Sequence, residues 1–197
     1  MNLEDYISYI QVNGANGGEK EGVGFFVGNL FITAGHVIKD CNDFIICHKG
    51  VTYNLNKSDA KSFSYMGDNS IASDGYDIAI FKIDGIKSPL TLSSELPQSD
   101  KDLQTVTKRK HVVSNGKSIF DRNEIIQLHS FGTKVVEIKD NLLGCTAEYL
   151  IKGDSGSPVL NGDKVYGVLI AGQPGTDVCV FQSSNSIIEI IKDIEYE

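Results

Sequence analysis

Three short stretches of this 197-residue chain carry residue types that nucleophilic and acid–base chemistry require. In "IKGDSGSPVL", Ile151 to Leu160, Ser155 stands at the centre of a glycine-flanked polar turn between two apolar arms. "TAGHV" puts His36 straight after an apolar run, and "YDIAIF" puts Asp77 at the head of another. A serine hydroxyl is a poor nucleophile and attacks a carbonyl only when a neutral imidazole takes its proton. Histidine suits that task because its pKa lies near working pH, so it can later return the proton to the leaving amine. A carboxylate behind the ring fixes its tautomer and stabilises the imidazolium. His36, Asp77 and Ser155 supply one of each. Asp74, in the loop "ASDGY", is a rival carboxylate. Asp77 is preferred because it opens an apolar run, whereas Asp74 reads as a turn residue.

In the order His, Asp, Ser, these stretches resemble the trypsin/chymotrypsin-like serine protease superfamily. The block "GVGFFVGNLFITAGHV" is similar to its bacterial branch, with a Gly-x-Gly-aromatic hairpin before the histidine. "DIAI" resembles the family's Asp motif and "GDSGSPV" its nucleophile loop, with Ser157 where Gly is commoner. Together the motifs span residues 22 to 160. The resemblance implies hydrolysis of a peptide bond through an acyl-enzyme, with no metal and no organic cofactor. It also implies an oxyanion hole made by the backbone N–H groups of Gly153 and Ser155, where a side chain at Gly153 would obstruct the approach. Losing one such donor typically costs ~3 kcal/mol, about a hundredfold or more in rate.

The same resemblance places a substrate pocket at residues before the nucleophile and on the strand after it, here Tyr149, Lys152, Ile170, Ala171 and Gly172. Tyr149 stands where trypsin-like enzymes hold an Asp, so a preference for basic substrates is not expected. Ala171 and Gly172 are small, which implies an open entrance. Lys152 at the rim either favours an acidic group or is simply solvated. His129, in "IQLHSFG", reads as a plain strand histidine, with a place in the pocket as the other reading. In zymogen-activated members the Asp before the nucleophile pairs with a new N-terminal amine. This chain has Asp154 but no Ile-Val-Gly-Gly start. A lone buried carboxylate is costly. Two readings stand: an internal cation from Arg109, Arg122, Lys108 or Lys110, or solvation and backbone hydrogen bonds alone.

The elements that must position these groups read as strands. Many short apolar or alternating segments, among them "DFIICHKG", "EIIQLHSFG" and "KVYGVLIAG", are separated by Gly, Asn and Asp turns. Long alternating helices are absent from the pattern, which argues for antiparallel barrels or sandwiches. Gly28-Asn29 marks a hairpin just before His36. Only "NSIIEIIKDIEYE" has helical spacing, with Asn185 or Ser186 as its cap. The expected architecture is all-β: two antiparallel Greek-key β-barrels of the chymotrypsin type with a C-terminal α-helix. Residues 1–93 would form the barrel carrying His36 and Asp77. Residues 94–197 would form the barrel carrying Ser155, with a linker across 87–102.

Composition narrows the partners. Eighteen basic against 26 acidic residues give a net charge of −8, which disfavours nucleic acid and anionic membrane. No apolar run approaches the ~20 residues a membrane helix needs. Cys41, Cys47, Cys145 and Cys179 are too few for a disulfide framework and read as buried free thiols. The first residues do not read as a secretory signal, so a cytoplasmic location is expected. The expected partner is a protein or peptide substrate, bound as an added strand, together with a possible regulatory protein. The alternative is a trypsin-fold module that binds peptide without turnover.

Overall fold

The computed structural model describes residues 2–13, 19–65, 75–98, 102–114, 122–173 and 175–194. In the first half run β1 (Ile7–Asn13), β2 (Glu19–Val27), β3 (Leu30–Thr33), the short helix α1 (Gly35–Ile38), β4 (Asp43–His48), β5 (Val51–Asn56), β6 (Ser62–Ser64) and β7 (Ile78–Lys82). These strands form one antiparallel sheet in the order β5-β4-β1-β2-β3-β7-β6. The Gly28-Asn29 hairpin joins β2 to β3, with Val27 opposite Leu30 and Gly28 at φ 56°. Positive φ at a turn residue carries little penalty for glycine, which is why this tight return can lead straight into α1.

The second half holds β8 (Thr91–Leu92), β9 (Leu103–Ser114), β10 (Arg122–Lys139), β11 (Leu142–Ala147), β12 (Pro158–Asn161), β13 (Lys164–Gly172), β14 (Val178–Ser183) and α2 (Ser184–Ile191). Its order is β12-β9-β10-β11-β14-β13-β8, and a further β12–β13 pairing closes a ring of six strands. The protein is thus all-β, with two curled sheets and a C-terminal helix. No helix among the described residues is long and apolar enough to cross a membrane.

Apolar faces explain how the halves are joined. Ile7, Val23, Phe25 and Ile80 of the first sheet pack with Val106, Leu160, Val165 and Val168 of the second, and Ile187 and Ile191 of α2 seal the same cluster. A second cluster around Phe26, Phe31, Phe44 and Phe81 fills the first sheet and takes in Ile170 from β13. Burying large apolar side chains at this seam fixes the crevice in which a site can form.

The structure adds detail to the expected elements. Thr91–Leu92 pair in parallel with Lys164–Val165 at the edge of the second sheet. The expected linker is tied down: the Ser88 N–H donates to the Gly28 carbonyl and the Thr91 N–H to the Asp163 carbonyl. Residues 99–101 lie outside those described. Helix α2 starts two or three residues earlier than expected, with Ser183 as its N-cap. Cys47 is exposed, not buried, because β4 alternates and its inward positions are Phe44, Ile46 and His48.

Candidate active site

His36 and Asp77 come from the two ends of adjacent strands. Residues after β3 turn into α1, and β7 pairs with β3 so that its N-terminal end lies beside that turn. Asp77 is buried, and both of its oxygens are used on one residue. Oδ2 lies 2.6 Å from the His36 Nδ1, and Oδ1 accepts the His36 backbone N–H at 2.7 Å. This double hold fixes ring and backbone together and turns Nε2 away from the carboxylate. Gly35 makes the approach possible, since a Cβ there would overlap the Ser64 carbonyl oxygen and press on Asp77 Oδ1. The Asp77 N–H points to Gln182 Oε1 of β14 at 3.4 Å, a link to the second sheet. Asp74 lies outside the described residues.

The turn bearing Ser155 is anchored on all sides. The Asp154 N–H donates to the Ile151 carbonyl and the Ser157 N–H to the Asp154 carbonyl, each at 3.1 Å. The Gly156 N–H donates to Leu169 at 2.7 Å, and the Val23 N–H reaches across from β2 to the Ser155 carbonyl at 2.8 Å. The Ser155 turn therefore docks on the same β2–β3 hairpin that leads to His36. Gly156, at φ 89°, has no room for a side chain, because a Cβ would overlap the Val23 carbonyl and Thr33 Oγ1. Gly153 is at φ 105°, and within the fold a Cβ there would only touch Glu21 at ordinary distances. The backbone conformation, rather than crowding within the fold, requires glycine at that position. Among the described residues, no acceptor takes the N–H groups of Gly153 or Ser155, whereas those of Ile151, Asp154, Gly156 and Ser157 are bonded.

Asp154 is fully buried, and an internal cation holds it. Arg109 of β9 grips it with two bonds, Nε to Oδ1 at 2.9 Å and Nη2 to Oδ2 at 2.7 Å. Thr107 Oγ1 and the Ile151 N–H donate to the same carboxylate at 2.9 and 2.7 Å. The guanidinium also donates to the Tyr149 carbonyl at 2.7 Å and lies 4.7 Å above the Phe131 ring. A planar fork of donors suits this arrangement better than an ammonium. Of the other candidates, Lys108 donates to the Glu4 carbonyl and Lys110 lies between Glu21 and Glu124. The Arg122 side chain lies outside those described.

Ser155 opens on a cavity of about 460 Å³. Lys152, Ala171 and Gly172 line it. Tyr149 and Ile170 do not. Tyr149 has φ 68°, which swings its side chain outward to 73% exposure, and it lines a separate groove with Phe131. Ile170 sits at a β-bulge where β13 changes register with β14, and its side chain enters the core of the first sheet. Sequence reading missed Leu150, Ile151, Leu169, Val178 and Cys179 as lining residues. Leu169 was recoverable, since residues two apart on a strand share a face with Ala171. His129 is not in this cavity: its Nε2 lies 2.9 Å from His111 Nε2 and its ring stacks on Phe131. Burial holds its pKa below the ordinary value, with Arg109 and His111 adding to the effect. Cys179 lies directly across from Cys145 on β14 and β11, both as free thiols, and burial pushes each up to about 12.

A profile describing the trypsin-like peptidase domain matches residues 22–171, which hold His36, Asp77 and Ser155. The chain belongs to the trypsin-like peptidase family, and its class is that of the serine proteases. No curated protein matches it in sequence. Among solved structures it is similar to the Rv3671c protease of M. tuberculosis in its active form, with 15% identity and a TM-score of 0.70, covering 99% of this chain and 83% of that one. It is also similar to HL collagenase, at 14% identity and a TM-score of 0.67, covering 96% and 92%. A scabies mite inactivated protease paralogue, S-I1, aligns at 16% identity and a TM-score of 0.62, covering 98% and 94%. At these identities the likeness is one of fold.

Proposed function

We propose that the protein is a serine endopeptidase in which His36, Asp77 and Ser155 act as a catalytic triad. His36 takes the Ser155 proton as the hydroxyl attacks the scissile carbonyl, then gives it to the departing amine. Asp77 keeps Nδ1 protonated and stabilises the imidazolium. The N–H groups of Gly153 and Ser155 receive the oxyanion, and water then hydrolyses the acyl-enzyme. The substrate is an extended peptide lying along the crevice edge. The observation that carries this reading is the doubly held His36–Asp77 pair, with His36 just after the hairpin against which the Ser155 turn docks.

The Arg109–Asp154 pair supplies from within the fold the cation that other members obtain by cleavage. That supports an enzyme restrained by narrow specificity or by a regulatory protein rather than by trimming. A fluorophosphonate probe tests the reading, since it labels only an activated serine. The expected result is one adduct on Ser155, absent from Ser155→Ala. An unlabelled parent chain that still binds peptide would mark an idle trypsin-fold module instead.

A further inference from the structure

We infer that this enzyme selects a sizeable apolar side chain on the acyl side of the scissile bond, and that Ala171 and Val178 set the depth and chemistry of the receiving cavity. The inference rests on the proposed role of Ser155 and adds the substrate class. The cavity beside Ser155 has walls of Ala147, Leu150, Leu169, Ala171, Val178 and Cys179. Small residues at 147 and 171 leave width, and about 460 Å³ accommodates a leucine, methionine or phenylalanine side chain.

Charge argues the same way. No carboxylate among the described residues lines the cavity, so a lysine or arginine would lose its hydration with none of them to replace it. Asp177, next to Val178, faces the neighbouring groove with Tyr149 instead. For an acidic side chain the available cation is Lys152, which is exposed at the rim. An exposed pair of that kind contributes little in water. The histidine that could have served an acid, His129, is engaged with His111 and Phe131 outside the cavity. Gln173 and Thr176, also in the lining, are polar but uncharged, and the apolar walls supply a selectivity that grows with each methylene received.

The test is a series of peptide substrates differing only in that residue, assayed with the full chain. Leucyl, methionyl and phenylalanyl substrates should exceed lysyl and glutamyl ones by at least about a hundredfold in kcat/KM. Ala171→Phe should lower the phenylalanyl rate at least about tenfold relative to an alanyl substrate. Val178→Asp, at a more exposed position, should raise the lysyl rate relative to the leucyl by about tenfold or more. A glutamyl preference that disappears in Lys152→Ala would overturn the inference, as would a lysyl preference in the parent or indifference to both cavity variants. Should the parent fail to label with fluorophosphonate, the same peptides are scored by fluorescence anisotropy. Tighter binding of the apolar members then upholds the cavity assignment while the hydrolase reading falls, and equal binding overturns it.

Discussion

The two halves of the site are built by different means. In the first sheet, one carboxylate and one close backbone approach do the positioning: Asp77 holds His36 twice, and Gly35 leaves the space. In the second, Ser155 sits on a turn fixed by a network of Arg109, Thr107, Asp154 and the Ile151 N–H, with glycines at φ 105° and 89°. A general base needs a defined tautomer and direction, which one partner can set. A strained turn with two unbonded N–H groups needs support from several directions, because its backbone does not supply its own.

That contrast makes the variants of the two regions fail differently. Asp77→Asn should give the largest effect, a loss in kcat of about 10⁴-fold with the fold intact, since the amide favours the wrong tautomer. Steady-state kinetics beside circular dichroism would check it, and a matching loss of structure would contradict it. Arg109→Ala should act through the fold, costing about 3–5 kcal/mol because Asp154 is left buried and unpaired. Urea titration reads this directly. Arg109→Lys should recover only part of it, since an ammonium cannot reproduce the bidentate grip. Gly153→Ala comes next, at roughly 1–3 kcal/mol of backbone strain. Its signature is a fall in kcat larger than the change in stability, because in the proposed mechanism the displaced N–H is one that receives the oxyanion.

The smallest effect lies in the thiols. Cys145 and Cys179 are held protonated up to about 12, whereas in the unfolded chain each would ionise near the ordinary 9.0. The folded pKa is the higher one, so this contribution to stability is complete below pH 9 and is lost as pH rises from about 9 toward 12. Denaturant midpoints measured across that window should fall, and Cys145→Ala combined with Cys179→Ala should flatten the slope. At pH 8, iodoacetamide should modify Cys47 well before either of them.

The same contrast governs what could be read from the chain alone. His36 and Asp77 were legible because each lies at the junction of an apolar run and a turn, a local signal. The all-β architecture was legible from the strand-length apolar segments and their turns. Arg109 was one of four basic residues on offer, and nothing local separates it from Lys108 or Lys110. The choice depends on strand facing: Thr107 and Arg109 share the face that looks onto Asp154, and Lys108 and Lys110 turn to other partners. Tyr149 was misplaced because a positive φ in a non-glycine residue leaves no mark in sequence. Ile170 was misplaced because the β-bulge between Leu169 and Ala171 takes its side chain into the core of the first sheet, and a bulge leaves no local mark in the sequence. Cys47 follows the alternation of strand faces, which "DFIICH" already carried.

The central claim is that an imidazole in the first half activates a hydroxyl in the second. Its most direct test is the rate at which Ser155 is acylated by an activated ester, followed by intact-protein mass spectrometry in the parent and in His36→Ala. The account predicts an adduct on Ser155 in the parent and acylation slower by at least about a thousandfold in the variant. Equal rates in the two chains would contradict it.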